Sequence, residues 1–196
     1  MTPITIRQGA HRGPRNPSAV EPPPRTVRTG ELAVGGAPER LAIFGLGSCV
    51  AIFIGDASMR LGGLAHASVP AAVRRSRGTR RCVPFAIHEL VEELEALGCS
   101  RKRLGAKLVG GAHLLHSRGL RASGEEASAS AWAGKLGGRG APLGARNVAA
   151  ALLCLGRKGI RLDAVDVGGS ASRCLVVNLD DGLVHLRSSS SGERFL

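Results

Sequence analysis

Short apolar runs rich in β-branched residues, separated by glycine-containing turns, constrain the fold of this chain more than any other feature. Residues 50–54 and 174–179 are two such runs. The second is followed by Asp180-Asp181-Gly182 and a further apolar run, a pattern typical of a β-hairpin. On this pattern we expect strands at residues 30–34, 41–44, 50–54, 60–68, 107–109, 162–167, 174–179 and 183–187.

Two stretches have the apolar spacing of amphipathic helices instead. The first begins at Pro84, places apolar residues at 87, 90, 91, 94 and 97, and ends at Gly98. The second covers residues 145–157 and ends before Gly159. Many strands together with two helices, and no internal repeat, indicate an α+β fold or a layered α/β fold in a single domain.

The length of 196 residues fits one domain with tails. Residues 1–29 are rich in proline and arginine and predict a flexible basic tail, without the apolar segment of a secretory signal. Residues 30–187 carry the strand and helix patterns and form the predicted domain. Inside it, residues 117–141 are rich in Gly, Ala and Ser and predict a flexible insertion, and residues 188–196 predict a polar C-terminal tail. No uncharged stretch reaches the roughly 20 residues of a membrane span, so we expect no membrane insertion.

The chain is strongly basic, with 27 Lys and Arg against 15 Asp and Glu and a net charge of +12. Cations concentrate at residues 74–81 and 101–107, which raises the hypothesis of a nucleic-acid-binding protein. Aromatic residues make up only 3% of the chain, and no zinc finger, RRM or basic zipper motif is present. Specific nucleic-acid binding is therefore not favoured, and attraction to an acidic protein partner accounts for the charge equally well.

The cysteines do not suggest cross-links or a metal. The chain has five, an odd number without CxxC spacing, which argues against a disulfide framework or a zinc ribbon and favours a reducing compartment. His113 and His116 could share a face, but no carboxylate or cysteine lies at ligand spacing. We expect no bound metal.

Cys49 and His66 are the candidates for chemistry. Cys49 follows Gly45-Leu46-Gly47-Ser48 at a strand boundary, where small residues leave backbone N–H groups free near a nucleophile. His66 lies on the next predicted strand, and a hairpin would bring the two side chains within hydrogen-bond reach. In that geometry an imidazole lowers the pKa of a thiol. The residues alone also allow a buried structural cysteine and a structural histidine.

A family resemblance separates these interpretations. Five segments, in order, resemble the CheD family of chemoreceptor glutamine deamidases over residues 30–187. They are Gly45-Leu46-Gly47-Ser48-Cys49-Val50, then Gly62-Gly63-Leu64-Ala65-His66 with Pro70, then Ala106-Lys107-Leu108-Val109-Gly110-Gly111-Ala112, then Leu143-Gly144-Ala145-Arg146-Asn147, and Asp166-Val167-Gly168-Gly169 with Arg173. Among them we expect structural roles for Gly110, Gly111, Asn147, Asp166, Gly168 and Gly169.

The resemblance implies a cytoplasmic cysteine hydrolase with a layered α/β/β fold, similar to the deamidating cytotoxic necrotizing factors. Its substrates would be glutamine side chains on the helical cytoplasmic part of methyl-accepting chemotaxis receptors, which become glutamate. A CheC-type phosphatase is a partner of some family members. Cys49 carries over as the nucleophile and His66 as general base and acid. Backbone N–H groups around Ser48 and Gly47 would hold the oxyanion, and no cofactor is needed.

One departure from the family bears directly on activity. The family's third catalytic residue is a threonine six positions before the cysteine, and Ile43 stands there. An aliphatic side chain cannot form the hydrogen bond. Ser68, which shares a strand face with His66, is a candidate substitute. We expect a slow deamidase, and the alternative is an inactive binding protein on the same fold that docks to receptors or to a CheC-type phosphatase.

Overall fold

A computed structural model describes residues 22–71, 79–113, 140–190 and 192–196. The strands are β1 (Arg25–Thr26), β2 (Leu32–Gly36), β3 (Arg40–Leu46), β4 (Val50–Asp56), β5 (Leu61–Ala67), β6 (Gly105–Gly110), β7 (Arg161–Val167), β8 (Arg173–Asn178), β9 (Val184–Ser188) and β10 (Gly192–Phe195). The helices are α1 (Val83–Ala96) and α2 (Leu143–Arg157), with a single 3-10 turn at Arg101–Arg103.

The strands form two five-stranded sheets. The order is β1-β3-β8-β9-β10 in the first sheet and β2-β5-β4-β6-β7 in the second. Pairing is antiparallel except between β1 and β3 and between β6 and β7. The predicted hairpin between β8 and β9 is confirmed, since Gly182 closes the turn with a positive φ of +69°.

Two apolar layers hold the domain together. In the first, Ile52 and Ile54 on one face of the second sheet pack against buried residues of both helices, among them Leu90 and Leu155. In the second layer, the opposite face of that sheet packs against the first sheet, with Leu64 among the contacting residues. Helices, second sheet and first sheet therefore stack as α/β/β, and the layered fold expected from the sequence is confirmed.

The helix boundaries follow the sequence signals closely. Proline occupies the first turn of α1, where its missing N–H costs no hydrogen bond. Gly98 follows α1 with a φ of +91° and Gly159 follows α2 with a φ of +67°, a conformation that glycine adopts without strain. Helix α2 begins at Leu143 rather than at the predicted residue 145.

Strand pairing extends into both segments that we expected to be tails. Within residues 1–29, β1 runs parallel to β3, and the Val27 side chain behind it is buried between the sheets. Within residues 188–196, β10 pairs with β9 and Leu196 packs against the same core. Both strands are short, and the local sequence does not indicate the residues with which they pair. The insertion predicted at residues 117–141 lies almost entirely outside the described residues.

Candidate active site

Cys49 and His66 lie on the same face of the second sheet. His66 is on β5 opposite Ala51 of β4, and Cys49 is two residues before Ala51, just ahead of β4. Because alternate residues of a strand share a face, both side chains point toward the first sheet, as does Leu64. Diagonal neighbours of this kind have Cβ atoms within about 7–8 Å, which long side chains can span. The structure thus places the two residues singled out from the sequence on one face of neighbouring strands.

Three consecutive carbonyl groups fix the loop that carries Cys49. The Gly47 oxygen accepts a hydrogen bond from the Ala112 N–H at 2.9 Å, and the Cys49 oxygen accepts one from the Gly111 N–H at 2.7 Å. The Ser48 oxygen between them accepts one from Asn147 Nδ2 at 2.9 Å. We call this tripeptide, residues 47–49, the nucleophile loop.

The backbone N–H groups of the nucleophile loop differ from its carbonyl groups in their hydrogen bonding. Among the residues that the structure describes, none accepts a hydrogen bond from the N–H of Gly47 or Ser48. Backbone N–H groups fixed in direction and without an acceptor are the donors that an oxyanion requires.

Gly110 can lie against the nucleophile loop because it has no side chain. Its φ is +110°, and a Cβ added there would come closer than 3.0 Å to the Cys49 carbonyl oxygen. The sequence predicted only a tight turn at Gly110-Gly111, and the structure shows in addition a close approach of two backbone segments.

The segment after β7 supports Gly110 from behind. The Gly168 N–H donates to the Gly110 oxygen at 2.8 Å, and the Gly169 oxygen accepts from the His113 N–H at 2.8 Å. Buried Arg173 donates to Asp166 through Nε and Nη2 and to the Gly168 oxygen through Nη1. A buried ion pair with several hydrogen bonds fixes local geometry, in keeping with the structural role expected for this motif.

Asn147 connects the two strand ends that carry Cys49 and His66. It lies in the first turns of α2, fully buried, and its Nδ2 donates both to the Ser48 oxygen at 2.9 Å and to the Ser68 oxygen at 3.1 Å. Its Oδ1 is also buried and has no partner among the described residues. One side-chain amide therefore links the residue before Cys49 to the segment that follows β5.

The His66 ring is held at both nitrogens. Nδ1 lies 3.4 Å from the Val27 carbonyl oxygen, and Nε2 lies 3.3 Å from the Thr29 hydroxyl. A carbonyl only accepts, so Nδ1 carries the proton in the neutral ring and Nε2 keeps a lone pair. Burial lowers the pKa of His66, opposed by the Val27 hydrogen bond and the charge of Glu31.

Burial has the largest effect on the pKa of the Cys49 thiol. Burial raises its pKa, and the Arg81 cation and its own backbone amide act in the opposite direction more weakly. The sequence-based expectation of a thiol pKa lowered by imidazole is wrong for this state. The reason is that, within the described parts of the chain, the hydrogen bonds of the His66 ring go to Val27 and Thr29 and not to Cys49.

Ile43 and Ser68 were the two positions considered for a third site residue. Ile43 on β3 is fully buried in the core between the sheets, beside Val27, and offers no polar atom. Ser68 uses its backbone N–H and carbonyl to bind Arg81 and Asn147. Thr29, which the sequence analysis missed, supplies the hydroxyl found at His66. The only local signal for it is its position directly before the predicted strand at residues 30–34.

Most cations of the two predicted clusters that can be placed have partners within the chain. The pairs are Arg80 with Glu89 and Glu93, Arg101 with Glu95, and Arg103 with Asp56. Lys107 Nζ donates to the carbonyl oxygens of Gly182 and Leu196. Residues 74–77 lie outside the described part. These intramolecular contacts reduce the positive surface available for nucleic acid.

Among the residues that the structure describes, no group of three or more His, Cys, Asp or Glu side chains is arranged to hold a metal ion. Neither described helix has the length and apolar character needed to cross a bilayer.

Comparison with known proteins agrees with the resemblance found in the sequence. A family model described as "CheD chemotactic sensory transduction" matches residues 73–188. A probable chemoreceptor glutamine deamidase CheD 2 of Geobacter metallireducens is 40% identical over 166 residues, which cover 83% of this chain and 92% of the relative. The chemoreceptor glutamine deamidase CheD of Thermotoga maritima is 31% identical over 170 residues, which cover 87% of this chain and 95% of the relative. A probable deamidase of the same name from Pyrococcus horikoshii is 35% identical over 169 residues, covering 85% and 93%. On this evidence, and with the fold and the motifs in place, the chain belongs to the CheD family.

Proposed function

We propose that this chain is a protein-glutamine deamidase that hydrolyses glutamine side chains of methyl-accepting chemotaxis receptors to glutamate. The observation that carries the proposal is the placement of Cys49 and His66 on one face of the second sheet. Cys49 itself belongs to the nucleophile loop, whose three carbonyl groups are all held by hydrogen bonds. The names of the relatives support the substrate, since they describe glutamine deamidases of chemoreceptors.

The reaction follows from the groups present. Cys49 Sγ attacks the carboxamide carbon, and its proton passes to His66 Nε2, the ring nitrogen that carries no proton in the neutral ring. The N–H groups of Gly47 and Ser48 donate to the oxyanion of the tetrahedral intermediate. His66 then returns the proton to the departing nitrogen, which leaves as ammonia, and a thioester remains on Cys49.

Water completes the cycle. His66, neutral again, removes a proton from a water molecule that attacks the thioester carbonyl, and the Cys49 sulfur leaves with that proton. The net change is one carboxamide and one water converted to one carboxylic acid and one ammonia. The raised pKa of the Cys49 thiol and the lowered pKa of the His66 imidazole suit this sequence of steps, because the base must be unprotonated before attack.

We also propose the compartment in which this activity takes place and a second partner of the protein. Receptor glutamines of this kind lie on cytoplasmic helical bundles, so we place the enzyme in the cytoplasm. The resemblance supports a CheC-type phosphatase as a second partner. The net charge of +12 favours an acidic docking surface on either partner.

The test is mass spectrometry of a chemoreceptor cytoplasmic fragment incubated with the full chain. Specific glutamine peptides should gain about one mass unit, and Cys49→Ala and His66→Gln should each abolish the gain. Cys174→Ala is the matched control, since this half-buried thiol lies on the face of β8 opposite to that of the core residue Leu175, which packs between the sheets. Deamidation that persists in Cys49→Ala would refute the mechanism. A parent protein that binds the fragment without changing its mass would instead identify a binding protein.

A further inference from the structure

Thr29 makes a contact that neither the family motifs nor the proposed mechanism assigns. It lies in the short crossing between β1 of the first sheet and β2 of the second. The crossing is pinned to β5 by backbone bonds, since Gly30 N donates to the His66 oxygen at 2.8 Å and His66 N donates to the Glu31 oxygen at 3.0 Å. These bonds fix where the Thr29 side chain lies relative to the ring.

Thr29 contacts the nitrogen of the His66 ring that takes up and releases the proton in the proposed mechanism. Nδ1 is committed to the Val27 oxygen, so any proton that His66 accepts arrives at Nε2. Thr29 Oγ1 lies 3.3 Å from Nε2. Within the described residues, no other side-chain hydroxyl lies within hydrogen-bond distance of the ring.

A hydroxyl suits this place because it both donates and accepts. It donates to the lone pair of neutral Nε2 in the resting site, and that hydrogen bond breaks when the Cys49 proton arrives. After rotation about its C–O bond the hydroxyl accepts from the Nε2–H of the imidazolium. Ile43 can do neither, and Ser68 makes no such contact. The ring is thus held in one orientation before and after it takes a proton.

We propose that Thr29 is a positioning residue for His66, which orients the imidazole through a hydrogen bond at Nε2 before and between the proton transfers of the reaction. The inference rests on the proposed roles of Cys49 and His66. It explains how a chain with an aliphatic residue at position 43 still orients its base.

The experiment compares three variants of the full chain. Thr29→Val removes the hydroxyl and keeps the shape, and Thr29→Ser keeps the hydroxyl. Thr26→Val makes the same chemical change at an exposed residue of β1 and serves as the control. Thr29 is itself exposed, so none of these substitutions should disturb folding.

The first measurement is the titration of His66 by NMR, without substrate. Hydrogen bonds to ionised groups are roughly twice as strong as neutral ones, so loss of the hydroxyl should lower the pKa of His66 by about half a unit. Thr29→Ser and Thr26→Val should titrate like the parent. The charges acting on this part of the site, Glu31 on His66 and Arg81 on Cys49, are the same in all variants.

The second measurement is deamidation of the receptor fragment. Thr29→Val should lower kcat about fivefold to tenfold with little change in KM, the loss expected for one hydrogen bond. Thr29→Ser should recover most of the rate. A Thr29→Val protein with the parent's titration or rate, or an equal loss in Thr29→Ser, would overturn the proposal. Activity that survives Cys49→Ala would overturn the proposed mechanism instead, and the titration would still report on Thr29.

Discussion

Replacement of Asn147 by alanine should destabilise the domain by about 2–4 kcal/mol. The substitution removes two hydrogen bonds, to the Ser48 and Ser68 oxygens, each worth about 1 kcal/mol net and more where the carbonyl is left bare and buried. Two smaller effects oppose it. Alanine favours a helix over asparagine by about 0.5 kcal/mol, and the buried Oδ1 that has no partner among the described residues is removed as well.

The assay is urea unfolding followed by circular dichroism, at neutral pH. Asn147→Asp should cost more than Asn147→Ala, since a buried carboxylate would face the two carbonyl oxygens. Arg146→Ala, an exposed neighbour on α2, is the control and should change stability by less than about 0.5 kcal/mol. An Asn147→Ala protein as stable as this control would show that the two carbonyls do not depend on Asn147.

Four other results are expected. Gly110→Ala should cost more stability than Gly159→Ala, because both have positive φ but only the first meets a backbone oxygen, that of Cys49; equal unfolding midpoints would contradict this. Alkylation of Cys49 should accelerate about tenfold per pH unit through neutrality, since its raised pKa leaves little thiolate; a rate independent of pH would mean that a thiolate–imidazolium pair already exists. The free energy of unfolding should fall as pH drops below about 6.5, because His66 takes up a proton in the unfolded chain but, with its lowered pKa, not in the folded one. In unfolding titrations over the same pH range, the His66→Gln protein should lose less stability than the parent. Ile43→Thr should cost about 1–3 kcal/mol of stability by burying a hydroxyl and should raise the deamidation rate little if Thr29 already holds the ring, whereas a large gain would show that position 43 limits the enzyme.

The strands and helices of the core could be predicted from sequence because each carries its own local pattern. Helix α1 has proline in its first turn, apolar residues on one face and Gly98 at its end. β4 and β5 are apolar runs between turns, so the hairpin that places Cys49 near His66 follows from their order along the chain.

The rest depends on contacts between residues far apart in the sequence. Thr29 and His66 are separated by 37 positions, and Asn147 and Ser48 by 99. β1 has only two residues and pairs with β3, its neighbour in the first sheet, through a parallel register that no local pattern indicates. No periodicity in the sequence marks such contacts. Burial, which also depends on the whole fold, raises the pKa of the Cys49 thiol, whereas a neighbouring imidazole was expected to lower it.

The hydrogen bonds that hold the nucleophile loop also determine where this chain can change in length. Ala112 and Asn147 hold adjacent carbonyls of the loop, and in the sequence they stand on opposite sides of residues 114–139, which the structure does not describe. The positions of both anchors are set by β6, by α2 and by the loop itself, not by the number of residues that connect them. Lengthening that connection adds only a slowly growing closure entropy. Relatives with shorter or longer connections can therefore keep the same geometry around the thiol, and this part of the chain is free to diverge while the reaction stays the same.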